Sequence, residues 1–482
     1  MKPHPLLQLA VIILLAASAY GQSQPYYQSD IPPEEFRARW EKVFTQIGPE
    51  SVAVLQGAPQ VSGFIMPRQD NNFFYLSGIE TPHSYLLLDG RSRKVTLYLP
   101  PRNPRLESAE GRVLSAEDAA LVRQLTGADA VKSTDDMRGD CLGGLEGGAP
   151  KLVFTPFSPA EHNAESRHEI VSANAGIAAD YWDGRLPREA QFVSLLKARY
   201  PRIEVNDLTP ILDELRSIKS PREIAMIRRA SQIAGLGVME AMRSTRAGLY
   251  EYHLDAAARY VFLVNGARLD AYRSITAAGT ENIWNMHYYR NLAELKDGDL
   301  ILMDYAPDYR YYVSDIGRMW PVNGKYSAAQ RELVGFVLEY HKAVMNRVRP
   351  GVTADQIMGE ARKAMETVFA RWKFSKPIYE EAARRLVETG GGVFSHPVGM
   401  AVHDVGTYRN GPLKPGQVFS IDPQLRVPKE NLYVRYEDTI VVTESGYENL
   451  TAFLPSELDD IEKLMREEGV VQNSPPSPAA AR

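Results

Sequence analysis

Two ten-residue segments of this chain are versions of one another. Leu295-Lys296-Asp297-Gly298-Asp299-Leu300-Ile301-Leu302-Met303-Asp304 and Leu413-Lys414-Pro415-Gly416-Gln417-Val418-Phe419-Ser420-Ile421-Asp422 share leucine, lysine, glycine and the final aspartate at a constant offset of 118 residues. Upstream, Arg246-Ala247-Gly248 parallels Arg349-Pro350-Gly351, each between two stretches of helical periodicity. Each half therefore reads helix, helix, then a strand ending on an aspartate. A single pair of such units is a duplicated domain; a solenoid needs three or more.

Each aspartate opens a hairpin. Asp304 is followed by Pro307-Asp308-Tyr309-Arg310 and a return strand, Tyr311–Trp320, with Asp315 on it. Asp422 is followed by Pro428-Lys429-Glu430-Asn431 and a return strand, Leu432–Val442, with Arg435 and Glu437. Turns centred on those loops set Asp304 opposite Asp315 and Asp422 opposite Glu437, and Arg435 shares a face with Glu437. The apolar flanks Ile301-Leu302-Met303 and Phe419-Ser420-Ile421 predict burial of the acids. Buried carboxylates must be protonated, paired or bound to cations, and a divalent metal cluster answers that need for four of them. Three of the 9 histidines fit the same picture. His287 and His403 precede Asp304 and Asp422 at similar distances, and His396 follows the flexible run Gly390-Gly391-Gly392.

The rest of the chain frames this core. A single cysteine, Cys141, excludes a disulfide framework and any zinc site with two thiolates. The formal charge of −5, with both signs dispersed, argues against a basic nucleic-acid binder. Residues 1–19 read as a signal peptide. Lys2 precedes the apolar run Leu6–Ala17, and Ala17-Ser18-Ala19 offers a cleavage site, so the protein is expected to be exported, periplasmic or secreted, with no membrane segment afterwards. Residues 30–200 read as a first α/β domain with strands near 51–55, 84–88 and 94–99, residues 205–460 as a second domain, and 461–482 as a tail, disordered at its end. Ser220-Pro221-Arg222-Glu223, Ser327 with Gln330, and Thr353 with Gln356 are helix-opening capping boxes.

These motifs resemble the metallopeptidase family of aminopeptidase P, prolidase and methionine aminopeptidase, which has the pita-bread fold. The resemblance covers about residues 205–455. It is carried by Met286-His287-Tyr288 with Asn291, Met303-Asp304, Ser314-Asp315-Ile316, Ser395-His396 with Val402-His403-Asp404, and Val434-Arg435-Tyr436-Glu437-Asp438. Arg68-Gln69-Asp70-Asn71-Asn72-Phe73-Phe74-Tyr75-Leu76-Ser77-Gly78 is similar to the creatinase/aminopeptidase P N-terminal domain. Methionine aminopeptidases lack that domain, so the resemblance points to the Xaa-Pro hydrolases. It implies an α/β (α+β) fold, with a creatinase-like domain followed by a pita-bread domain of pseudo-twofold ααββ halves.

The resemblance also implies two divalent metal ions, best suited to manganese, with cobalt, zinc or iron as alternatives. Asp304 is then a ligand of one metal, Asp315 and Glu437 bridge both, and His396 and Asp422 complete the second. His287, His403 and Arg435 contact substrate or support the ligands. The implied reaction is hydrolysis of peptides with proline at position two by a hydroxide held between the metals, with Asp422 moving the proton. The expected partners are such peptides and further copies of the chain. Two departures stand out. The family's Val-Glu-Pro-Gly is Ile421-Asp422-Pro423-Gln424 here, and a histidine common four residues before the ligand histidine is Gly392. A prolidase restricted to dipeptides, and a catalytically impaired binding protein, are the alternatives.

Overall fold

The computed structural model describes residues 25–140, 142 and 148–474. The expected leader at 1–19, Cys141, most of the glycine-rich 140–150 segment and the last eight residues lie outside the described residues. Among the described residues no helix is long and apolar enough to cross a membrane.

The described chain forms two compact units. The first runs to Pro156 and adds Val193–Leu208. It is built on a six-stranded sheet of β1 (Ser51–Gln56), β2 (Tyr85–Asp89), β3 (Lys94–Leu99), β4 (Ala130–Ser133), β5 (Leu152–Thr155) and β6 (Glu204–Asp207), in the order β4-β3-β2-β1-β5-β6. The three strands expected from sequence are its antiparallel centre. The Arg68–Gly78 motif forms the wholly buried helix Asn71–Ser77, entered by an Arg68 Nη1 bond to Asn71 Oδ1 of 2.6 Å. Gly78 ends it at φ 65°, with Tyr27, Phe36 and Gln28 atoms within 2.9 Å of where a Cβ would stand. Backbone conformation and space both require glycine there.

The second unit comprises Phe157–Phe192 and everything from Thr209 on, so residues 157–192 group with it and not with the first domain, where the sequence sets them. Residues 157–192 leave the first domain because their charges are satisfied in the second: Arg167 pairs with Asp213 at 2.6 Å and Glu161 with Arg216 at 2.7 Å. The tail from 461 packs on this unit as far as residue 474, and the end expected to be disordered lies outside the described residues. Helix Leu458–Leu464 buries Ile461, Glu462 accepts from Lys325, Arg331 and the Tyr326 N–H, and Gln472 donates to the Ser244 carbonyl.

Helices Pro221–Ser244 and Glu251–Val264 precede the first sheet of this unit, and Ala328–Met345 and Ala354–Arg371 precede the second, where a third helix, Pro377–Thr389, departs from the helix, helix, strand order expected from sequence. The three capping boxes form as the sequence implies, the Glu223 N–H bonding Ser220 Oγ and the Ser220 N–H bonding Glu223 Oε2. Met226, Ile227, Ala230, Ile233, Ala234, Val238 and Ala241 bury one stripe of the first helix. Each isoleucine there contributes about 1.5–3 kcal/mol relative to exposure.

The unit's remaining strands are β7 (Leu269–Asp270), β8 (Ile275–Ala278), β9 (Leu300–Asp304), β10 (Pro307–Asp308), β11 (Gly317–Pro321), β12 (Phe394–Pro397), β13 (Val418–Ile421), β14 (Gln424–Val427), β15 (Leu432–Arg435), β16 (Asp438–Val442) and β17 (Tyr447–Asn449). They make the sheets β11-β9-β8 and β12-β13-β16-β17, with two-stranded ribbons β10-β7 and β14-β15. The repeated strands β9 and β13 are thus internal to their own sheets. The duplication extends to single hydrogen bonds. Gly248 N–H bonds Leu295 O at 2.9 Å and Gly351 N–H bonds Leu413 O at 2.8 Å; Val322 N–H bonds Asp299 O and Val442 N–H bonds Gln417 O, both at 2.9 Å.

Candidate metal centre

The site is assembled where the two sheets meet. Gly317 and Glu437 exchange backbone hydrogen bonds, 3.3 Å one way and 3.0 Å the other. A Cβ on Gly317 would stand 3.2 Å from the Glu437 side chain, so glycine keeps room for that carboxylate. In the first hairpin Asp304 faces Gly317, not Asp315 as the sequence reading had it. The turn is centred later in the chain than Pro307–Arg310: Tyr309 and Tyr312 bridge across Arg310 and Tyr311, both at positive φ. This primed-turn geometry suits a hairpin's twist but is rare without glycine or asparagine. In the second hairpin, Ile421 pairs with Asp438 and Gln424 with Arg435, and the register they share sets Asp422 across from Glu437 as expected. The predicted return strand is split there into β15 and β16, with Tyr436 and Glu437 between them.

The structure brings all five proposed metal ligands into one network. Asp304, Asp315, Asp422 and Glu437 are each 4% exposed or less. Arg435 lies among them, with Nη1 2.8 Å from Asp304 Oδ2, Nε 3.0 Å from Asp422 Oδ1, and Nη2 on Glu437 Oε2. His396 Nε2 is 3.1 Å from Asp315 Oδ2. The histidines divide. His403 packs edge-on against His396 with ring centroids 4.0 Å apart, whereas His287 lies exposed beyond helix Thr280–Trp284 and affects His403 through its charge.

Two participants carry no motif. Tyr272, just after β7, donates its hydroxyl to Asp304 Oδ1 at 2.6 Å and Asp315 Oδ1 at 2.9 Å. Nothing in sequence separates it from the other 24 of 25 tyrosines. Gln424 donates its amide to Asp422 Oδ2. Its signal was present, as a glutamine where the family has glycine. The two departures from the family pattern meet at this side chain. Gly392 sits at φ 73°, and a Cβ there would stand 2.5 Å from the Asp422 carbonyl oxygen and 2.7 Å from Gln424 Cδ. Gln424 fills the space that a side chain at 392 would need and reaches the shortened acid.

Electrostatics test whether cations fit. Four buried carboxylates face one guanidinium. Burial pushes Asp315, Asp422 and Glu437 well above the usual carboxylate range, and neighbouring acids add to it. Burial opposes the Arg435 charge, but Asp422, Glu437 and Asp304 outweigh it and hold the group firmly protonated. Burial and the surrounding acids likewise keep the Tyr272 hydroxyl protonated as a donor. Glu437 Oε1 is buried without a hydrogen-bond partner. Donor atoms of Asp315, His396 and Glu437 lie within 4.8 Å of one another. Excess buried negative charge, an orphaned carboxylate oxygen and an oxygen-rich donor set with one imidazole fit hard or borderline divalent cations. His403 is pushed down to about 2, first by burial and then by His396, His168 and His287, so it stays neutral.

Duplicated halves, each with helices ahead of a sheet, joined around buried acids and one imidazole, define a metallopeptidase of the pita-bread class. Residues 225–444 match the model of metallopeptidase family M24, and residues 36–152 match the aminopeptidase P N-terminal domain. The Xaa-Pro aminopeptidase of Escherichia coli K12 is 31% identical over 460 residues, spanning 91% of this chain and 98% of its own length. The chain belongs to metallopeptidase family M24, in its aminopeptidase P branch. Solved structures agree. Zinc-substituted Escherichia coli aminopeptidase P in complex with product matches with a TM-score of 0.72 at 29% identity, covering 91% of this chain and 99% of its own. Proline aminopeptidase P II from Yersinia pestis matches with a TM-score of 0.73 at 29% identity, covering 90% and 100%.

Proposed function

We propose that the chain is an exported Xaa-Pro aminopeptidase that works with two divalent cations, manganese by preference. It removes the first residue from peptides with proline second. The observation that carries this reading is the set of four buried carboxylates around one arginine, in a chain whose relatives are named Xaa-Pro aminopeptidase. Asp315, His396 and Glu437 hold the cations, with Asp304 and Asp422 completing the set. When bound, the metal pair supplies Lewis acidity and activates water at neutral pH.

The remaining work falls to the chain's own groups. Arg435 spaces Asp304, Asp422 and Glu437 and prevents their mutual repulsion from opening the site. Tyr272 orients Asp304 and Asp315. Neutral His403 keeps one ring N–H to donate to the oxygen that gains negative charge in the transition state. Asp422, with its raised proton affinity, accepts a proton and returns it to the departing proline nitrogen. That nitrogen has no hydrogen in the peptide, so the proton must be supplied. Export follows from the leader at 1–19.

The test is a peptide panel with manganese-reloaded protein. The proposal expects release of Xaa from Xaa-Pro-Xaa peptides and none when proline is replaced by alanine. Cleavage of Xaa-Pro dipeptides alone would identify a prolidase instead, and no turnover at full metal content would identify a binding protein.

A further inference from the structure

A second group of metal-ligating side chains stands beside the acid cluster. His168 and Glu169 lie in the first turn of helix Arg167–Ala179, and His403 lies on the loop after β12. One donor atom from each of the three is within 4.8 Å of the others. The His168 and His403 rings are 4.8 Å apart at their centroids and tilted by 37°. His168 and Glu169 are exposed and His403 is half-buried, so the group opens to solvent on one side.

The two backbones that carry these groups are fixed to each other. The His403 N–H donates to Ser166 Oγ at 3.2 Å. Ser166 N–H donates to Glu169 Oε2 at 2.9 Å, which draws that carboxylate toward the helix start and leaves its other oxygen for a ligand. Beneath them Arg216 joins Glu161 at 2.7 Å to Asp404 at 2.6 Å, with all three side chains 1% exposed or less. Glu161 precedes His168 by one short stretch and Asp404 adjoins His403. The buried ion triad thus clamps both sides of the group.

We propose that His168, Glu169 and His403 form a third, exchangeable cation site that takes a borderline divalent ion such as Zn2+ and shares His403 with the catalytic centre. The inference rests on the proposed role of His403 there. Two imidazoles and a carboxylate are a familiar donor set for zinc with an open position. Manganese stands below zinc in the affinity order at either site, so excess Mn2+ is what holds the oxygen-rich centre while the two imidazoles favour zinc here. The positive end of the helix opposes a cation, and Glu169 offsets it. A cation held here takes one ring nitrogen of His403. The ring then loses its freedom to follow a substrate carbonyl, and turnover falls as the site fills.

The experiment uses the intact, manganese-loaded enzyme in excess Mn2+, with Zn2+ added at rising concentration and both metals counted after equilibrium dialysis. The expected result is about one zinc gained per chain with manganese retained, together with a fall in peptide turnover. His168→Ala, at an exposed position, weakens zinc uptake by at least about tenfold and relieves the inhibition. Glu169→Gln, which preserves the cap, weakens uptake in the same direction. Neither variant changes turnover in manganese alone. Zinc uptake and inhibition identical in wild type and both variants would overturn the proposal, as would zinc that only exchanges for manganese one for one. Zinc uptake that depends on His168 in a protein holding no manganese would support the third site and sink the reading of the acid cluster.

Discussion

The two halves of the catalytic unit have the same fold and opposite chemistry. Their repeated strands, β9 and β13, each lead to an acid: Asp304 closes the first and Asp422 directly follows the second. Their return strands do not match. Gly317 and Glu437 are equivalent, since they exchange hydrogen bonds across the sheet junction. Counting from them, Asp315 in the first half corresponds to Arg435 in the second, and Arg318 to Asp438. Those last two now pair with each other, both buried. A symmetric duplication would place like charges together at the junction, which buried sites do not tolerate. Divergence of the return strands turned repulsion into one guanidinium among four acids, leaving a charge deficit that cations can fill.

Breaking the acids of either return strand has the largest expected effect. Glu437→Gln and Asp315→Asn each lose bound metal and reduce turnover well beyond the roughly 10²–10³-fold cost of removing a single transition-state donor. Metal analysis beside a peptide assay checks this, and near-normal turnover in either variant would refute the assignment. The contact special to the second half comes next. Gln424→Ala frees Asp422 Oδ2 and lowers kcat by about 10–100-fold. Asp422→Glu alone gains nothing, because Gln424 already fills the adjoining space; paired with Gln424→Gly it regains turnover above Gln424→Ala. A faster single variant would show that Gln424 is incidental.

In the first half, Tyr272→Phe removes one hydroxyl from two acids and costs about tenfold in metal affinity. Calorimetric manganese titration measures it. The smallest effect is on stability. His341, packed behind β16 against Tyr436, is pushed down to about 4, first by burial. The folded state therefore favours the neutral ring, and the unfolded chain binds the extra proton between pH 4 and 6.5. Stability contributed by this group is complete above pH 6.5 and is lost as pH falls toward 4, by about 3 kcal/mol in all. Denaturation of wild type and His341→Asn across that range should show a shallower slope in the variant, the slope that remains coming from other buried groups such as His403.

The architecture of the second half was readable from Leu413–Asp422, and the helix starts from Ser220, Ser327 and Thr353. Those features are local: apolar alternation, capping chemistry and a repeated turn. The acids were legible because apolar flanks announced their burial. What sequence hid was non-local. Arg310 and Tyr311 take positive φ without the glycine that marks such a turn, and this moved the register of Asp304. Residues 157–192 join the second unit through ion pairs whose partners lie farther along the chain. Tyr272 acts through a contact that no spacing encodes. Gln424 was visible as an oddity, but its meaning required knowing that Gly392 stands against it.

The asymmetric junction makes one claim above all, that its uncompensated acids hold a pair of cations. Titration of chelator-stripped protein with Mn2+, followed by calorimetry and metal analysis, tests it directly. The account predicts two manganese ions per chain (the number its acids call for), with peptidase activity appearing as they bind. Less than one ion per chain, with the acids buried all the same, would contradict it.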